Sequence, residues 1–151
     1  MQNWDDEFND IIQRKMKLYT EKRNNSADKE FHHSIPIILT DVNFTESVKK
    51  YPLLIVDFWA SWCGPCRMVS PVIDQLASEL AGKAVFGKLN VDENPSVSNA
   101  FGIQSIPTII IFRNDQAIER IMGAMTKSHL ISKISPHIGG LTDDNSNSFY
   151  Q

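Results

Sequence analysis

Cys63 and Cys66 are the two cysteines of this 151-residue chain, and Gly64 and Pro65 stand between them in Trp62-Cys63-Gly64-Pro65-Cys66. Thiols at that spacing can staple a short loop, supply half of a metal site, or cycle between dithiol and disulfide. A disulfide closing so short a loop adds little stability, because the gain grows with the length closed. Tetrahedral zinc takes about four ligands, whereas His32, His33, His129 and His137 lie in other segments without finger-like spacing to the thiols. No metal is therefore expected. A C-x-x-C pair beside a strand–helix–strand pattern reads as a redox couple.

That chemistry makes demands on the surroundings. A thiol attacks as its thiolate, and an ordinary cysteine is mostly protonated at neutral pH. A helix N-terminus offers unpaired N–H groups and roughly half a positive charge. Cys63 at a helix start is expected to be the exposed attacker with a lowered pKa. Cys66, about one turn inside, is expected to be the resolving thiol. Gly64 permits the tight turn, and Pro65 stiffens the loop at a position where no N–H is needed. Asp57 is an acid within an apolar run, so burial should raise its pKa. It is either satisfied structurally at a strand end or accepts the proton of the resolving thiol. Lys88 either snorkels at the surface or moderates the Asp57 charge.

The elements that must hold these residues alternate. Ile35–Leu39 reads as a short strand, and Thr40 and Asp41 as helix-start residues before Phe44 and Val48. Leu53–Trp59 is an almost continuous apolar run, which fits a strand covered on both faces. Val69, Val72, Ile73, Leu76 and Leu80 recur at helical spacing up to Gly82. Ala84–Val91 is a strand, and Asn94-Pro95 opens a short helix with a cap and a first-turn proline, closed by Gly102. Thr108–Arg113 and Ala117–Met122 read as strands joined by a tight turn at Asn114-Asp115. Thr126 caps a last helix with Leu130, Ile131, Ile134 and Ile138, which Pro136 should kink or shorten. Pro71 should bend the helix that follows the cysteines. Such an order predicts an α/β sheet with chemistry beyond the carboxyl ends of its strands.

Composition narrows the function classes. A hydrophobic share of 42% supports a packed core. A net charge of −3 provides no broad basic surface, so no nucleic-acid partner is expected. No apolar run reaches the ~20 residues of a membrane helix. The first 30 residues contain no apolar signal region and carry Asp5, Asp6 and Glu7, so a cytoplasmic location is expected.

The segment Val56 to Ala77, "VDFWASWCGPCRMVSPVIDQLA", resembles the active-site region of the thioredoxin family. "KLNVDENP", "FGIQSIPTIIIFRN" and "GAMTKSHL" follow in the family's order and spacing, so the resemblance spans about Ile35 to Ile138. It implies a thioredoxin fold: a mixed central sheet of about five strands covered by helices on both faces. It also implies a protein-disulfide reductase that keeps cytosolic thiols reduced. Cys63 would be the nucleophile and Cys66 the resolving partner in a redox-active disulfide. Asp57 would be the proton acceptor, with Lys88 modulating it. Trp62, Gly64 and Pro65 would form the active-site loop. Ile106, Pro107 (with a cis peptide bond), Gly123 and Ala124 would line the substrate groove. No bound cofactor is implied; the partners implied are disulfide-containing client proteins and a thioredoxin reductase. Two alternatives remain, a disulfide oxidase or isomerase and a binding scaffold of the same fold. Ser105 departs from the glycine frequent beside Ile106 and Pro107, and Asp115 from the glycine of an Asn-Gly turn.

Residues 1–34 are expected to be a helical extension. Trp4, Phe8, Ile11, Ile12 and Tyr19 lie near one another on a helical face from about Asp5 to Lys22. Acids come first and Arg14, Lys15, Lys17, Lys22 and Arg23 later, which complements a helix dipole. The extension would pack on the domain or a partner rather than a membrane. The domain would run from 35 to 140, and a flexible polar tail from 141 to 151.

Overall fold

The computed structural model describes residues 7–17 and 32–139. Its elements in chain order are α1 (7–17), β1 (Ile37–Leu39), α2 (Phe44–Lys50), β2 (Leu53–Trp59), α3 (Gly64–Glu79), β3 (Val85–Asn90), α4 (Pro95–Ala100), β4 (Thr108–Arg113), β5 (Gln116–Met122) and α5 (Lys127–Gly139). The chain divides into two units, Met1–Glu30 and Phe31–Gln151. In the first, Phe8, Ile11 and Ile12 lie on α1, and Arg14 pairs with Asp10 one turn away at 2.9 Å. Trp4, Asp5, Asp6, Tyr19, Lys22, Arg23 and the 141–151 tail lie outside the described residues.

In the second unit the five strands form one sheet in the order β1-β3-β2-β4-β5. β1, β3 and β2 are parallel, while β4 runs antiparallel to β2 and β5 antiparallel to β4. The apolar run Leu53–Trp59 takes the middle place, and Leu53 to Phe58 are all buried. Alternation divides this strand between two cores. Leu53 and Ile55 join Phe86, Ile109 and Ile111 against Val69, Ile73 and Leu76 of α3 and Leu130 and Ile134 of α5. Leu54, Val56 and Phe58 join Leu89, Ile110 and Phe112 against Phe44 and Val48 of α2 and Val97 of α4. Gly87 is dictated by close approach, because a Cβ there would overlap the buried Leu39 side chain.

Several boundaries depart from the sequence reading. β1 starts at Ile37, since Pro36 offers no N–H to a ladder. α2 starts at Phe44, because Thr40 and Asn43 bond each other around a turn: Thr40 N–H donates to Asn43 Oδ1 at 2.7 Å, and Asn43 N–H to Thr40 Oγ1 at 3.3 Å. α3 and α5 run through Pro71 and Pro136, so Pro136 does not shorten α5. The tight turn forms as expected, with φ of 48° at Asn114 and 69° at Asp115. That both-positive pair matches the right-handed twist of a hairpin. Thr126 caps α5, its Oγ1 accepting from His129 N–H at 3.2 Å.

The cap of α4 differs most. Asn94 occupies the N-cap position but makes no side-chain cap bond. The carboxylate of Asp41 takes that role from a distant loop, accepting from Val97 N–H at 2.9 Å and Ser96 N–H at 3.2 Å. Asn94 Oδ1 in return accepts from Asp41 N–H at 2.9 Å. The Asp41 loop and the start of α4 are thus locked reciprocally. Asp41→Ala is expected to lower the unfolding free energy by about 1–2 kcal/mol, read from the urea midpoint at unchanged slope.

Candidate functional site

Trp59 ends β2, and the chain then turns through Ala60, Ser61 and Trp62 into α3. Cys63 is the N-cap of that helix, and its sulfur accepts from Cys66 N–H at 3.2 Å. Pro65 sits in the first turn, where a missing N–H costs nothing. Cys63 and Cys66 are joined as a disulfide with their Cα atoms 5.3 Å apart. Both are only 3% exposed. The expectation of an exposed Cys63 is therefore corrected for this oxidised form: as N-cap acceptor its sulfur turns inward and lies 3.7 Å from the Ile106 carbonyl oxygen.

What each cysteine faces is different. Ile106 precedes Pro107 across a cis peptide bond, and Pro107 is buried. The Pro107 carbonyl accepts from Gly123 N–H at 2.8 Å, which sets Gly123 beside it. Gly123 has φ of 91°, a backbone state that a side chain would strain. Ile106 and Gly123 are half-buried and Ala124 is exposed. Trp62 is 69% exposed, and its indole N–H donates to Asp92 Oδ2 at 2.8 Å. Asp92 was not singled out by the sequence; it lies thirty positions away, with no local signal.

Cys66 faces the sheet. With Asp57, Trp59, Ala60, Ser61, Arg67, Ser70 and Lys88 it lines a cavity of about 350 Å³. Trp59, half-buried, is thus a wall of this cavity. Asp57 is 1% exposed, and its Oδ1 accepts no hydrogen bond among the described residues. Burial raises its pKa to about 7; Lys88 opposes that rise and Asp74 adds to it. Asp57 and Lys88 are in-register neighbours on β2 and β3. Lys88 nevertheless forms no ion pair with Asp57 among the described residues. Its ammonium donates to Ser70 Oγ and to Asp74 Oδ1, each at 2.7 Å. Ser70 and Asp74 also went unremarked in the sequence. Their spacing of four and eight from Cys66 on one helix was the signal that could have found them. The described residues contain no group of three or more His, Cys, Asp or Glu able to hold a metal ion.

A dithiol-disulfide pair capping a helix at the end of a central strand, with the carbonyl that precedes a cis-proline beside one sulfur and a buried acid in the cavity lined by the other, defines a thiol-disulfide oxidoreductase. The family model of thioredoxin matches residues 35–136. A thioredoxin of Chlorobaculum thiosulfatiphilum is 50% identical over 101 residues, covering 66% of this chain and 94% of that protein. Thioredoxin 1 of Synechococcus elongatus is 42% identical over 106 residues, covering 70% of this chain and 99% of that protein. Among solved structures, a mutant thioredoxin from Halobacterium salinarum superimposes with a TM-score of 0.66 at 27% identity, over 71% of this chain and 94% of the other. The chain belongs to the thioredoxin family. It is a protein-disulfide reductase whose redox-active group is the Cys63–Cys66 pair.

A buried acid with a raised pKa leaves a mark on stability. Below about pH 4 Asp57 is protonated in the folded and unfolded chains alike. Between pH 4 and 7 the unfolded chain loses this proton while the folded one keeps it, so folding stability falls as pH rises, and levels off above 7. Asp57→Asn removes that loss. The variant is expected to be more stable than wild type above pH 7, by up to about 4 kcal/mol, with the difference vanishing near pH 4. Denaturant melts at both pH values check this.

Proposed function

We propose that Cys63 attacks client disulfides and that Cys66, deprotonated by Asp57, resolves the mixed disulfide. The observation that carries this reading is the division of surroundings: Cys63 caps α3 against the Ile106 carbonyl, while Cys66 opens onto the cavity of Asp57. In the reduced protein the helix N-terminus favours a Cys63 thiolate. That thiolate displaces one client sulfur, forming a Cys63–client disulfide and a client thiolate. Asp57, whose pKa burial raises to about 7, accepts the Cys66 proton when ionised. The Cys66 thiolate then attacks Cys63 Sγ, closing the intramolecular disulfide and expelling the second client thiolate. Two electrons pass to the client and the protein is left oxidised.

The apolar rim of Trp62, Ile106 and Ala124, with Gly123 and Pro107 behind it, forms the client groove in this reading. Gly64 and Pro65 keep the loop tight, and Ser105 narrows one end. Lys88 modulates Asp57. Disulfide-bearing substrates and thioredoxin reductase are the general partners that membership of the family implies. This chain works in the cytoplasm on client proteins and takes its electrons from such a reductase. No described helix is long and apolar enough to cross a membrane. Residues 35–140 form the reductase domain, and the 1–34 extension serves docking rather than chemistry.

Cys63→Ser is expected to abolish insulin-disulfide reduction. Cys66→Ser is expected to accumulate client mixed disulfides on a non-reducing gel; an absence of trapped species sinks the assignment of attacker and resolver. Asp57→Asn is expected to slow turnover most near neutral pH and to recover as pH rises, when hydroxide replaces the missing base. A loss equal at every pH makes Asp57 structural.

A further inference from the structure

Lys88 has a four-carbon stem and three ammonium donors, and Asp57 is its in-register neighbour on the adjacent parallel strand. A buried carboxylate one strand away, whose Oδ1 has no hydrogen-bond partner among the described residues, is the strongest nearby attraction for that ammonium once it ionises. Yet the ammonium is drawn to the other wall, where Ser70 Oγ and Asp74 Oδ1 hold it from successive turns of α3. The Lys88 side chain keeps 22% exposure there, so its charge stays partly hydrated. An exposed ion pair alone is a weak tether; the half-buried Ser70 hydroxyl supplies a second attachment on the cavity side.

Resting on the role given to Asp57 above, we infer that Ser70 and Asp74 are positioning residues: they clamp Lys88 against α3 and prevent it from closing onto Asp57 as a direct ion pair. The charged and titratable groups around Asp57 are few. β3 contributes Lys88; α3 contributes Asp74, Arg67 and Cys66, which is tied up in the disulfide; β4 contributes Ile109 in register, which does not titrate. Arg67 is directed elsewhere, donating to the Ser61 carbonyl at 3.3 Å. Lys88 is therefore the cation able to move onto Asp57, and the two α3 side chains decide whether it does. Released, it would stabilise the carboxylate and shift the acid out of the neutral range. Clamped, it leaves Asp57 able to take up and give back a proton near neutrality.

The test is a carbon-13 NMR titration of the Asp57 carboxyl in the oxidised full-length chain, which reads the acid whether or not it acts in turnover. Ser70→Ala removes one tether without changing charge. Deleting a polar neighbour without any movement of Lys88 leaves the midpoint in place or raises it. The clamp requires the midpoint to fall, and Ser70→Thr, which keeps the hydroxyl, to restore it. Asp74→Asn, a change at an exposed side chain, is expected to lower the midpoint by about one pH unit. In a Lys88→Met background the Ser70→Ala fall should disappear and the Asp74→Asn fall should shrink to its through-space part. A Ser70→Ala midpoint that does not fall overturns the clamp, as does a fall of either variant that persists undiminished without Lys88. Those outcomes are separate from the proton-acceptor role, which stands or fails on the Asp57→Asn rate profile.

Discussion

An acid in the middle strand of a sheet with both faces covered has nowhere to send its charge. β2 lies between β3 and β4, and its residues from Leu53 to Phe58 are buried in succession. Asp57 occupies a position where its neighbours at 55 and 53 pack against α3 and α5. Ionising it there forfeits hydration that no hydrogen bond to Oδ1 from the described residues replaces. The fold accepts a standing loss of stability above neutral pH to keep this group, and the rest of the site is arranged around it. The α3 N-terminus brings Cys66 to the same cavity, and β3 brings Lys88 to its edge.

The helix supplies the opposite electrostatics. Cys63 at the N-cap sits where unpaired N–H groups favour negative charge, and Cys66 N–H already points at its sulfur. Asp57, by contrast, is held by burial to a pKa of about 7. In the assignment proposed above, the helix start favours an anion at one sulfur of the reduced pair and the buried acid serves the other as a base. A single helix start and a single buried acid make two identical side chains unequal.

Much of this was legible in the chain because it is local. Strands β2 and β4 coincide with the apolar runs Leu53–Trp59 and Thr108–Arg113, and the both-positive φ values at Asn114 and Asp115 follow from turn chemistry. The burial of Asp57 followed from its apolar flanks. What escaped depends on contacts between segments far apart. Asp41 reads as the start of its own helix and instead caps α4, more than fifty residues on. Asp92 bonds Trp62 across thirty residues. Lys88 was weighed against Asp57, its in-register neighbour, but the helix lying over the sheet offers Ser70 and Asp74 first. Periodicity tells which face of an element is buried; it does not tell which polar side chains meet when two faces close.

The same limit applies to Cys63. Position at a helix start implied an accessible Cys63, yet in the disulfide form it is as buried as Cys66. Access therefore does not distinguish the two sulfurs in this state. The separation lies in the walls: a backbone carbonyl beside a cis-proline against Cys63, and a cavity with a titrating acid against Cys66. In the assignment proposed above, the client disulfide is attacked by Cys63, the sulfur on the Ile106 side. In that assignment the direction of attack follows from how strand, helix and cis-proline loop converge on two sulfurs of equal burial.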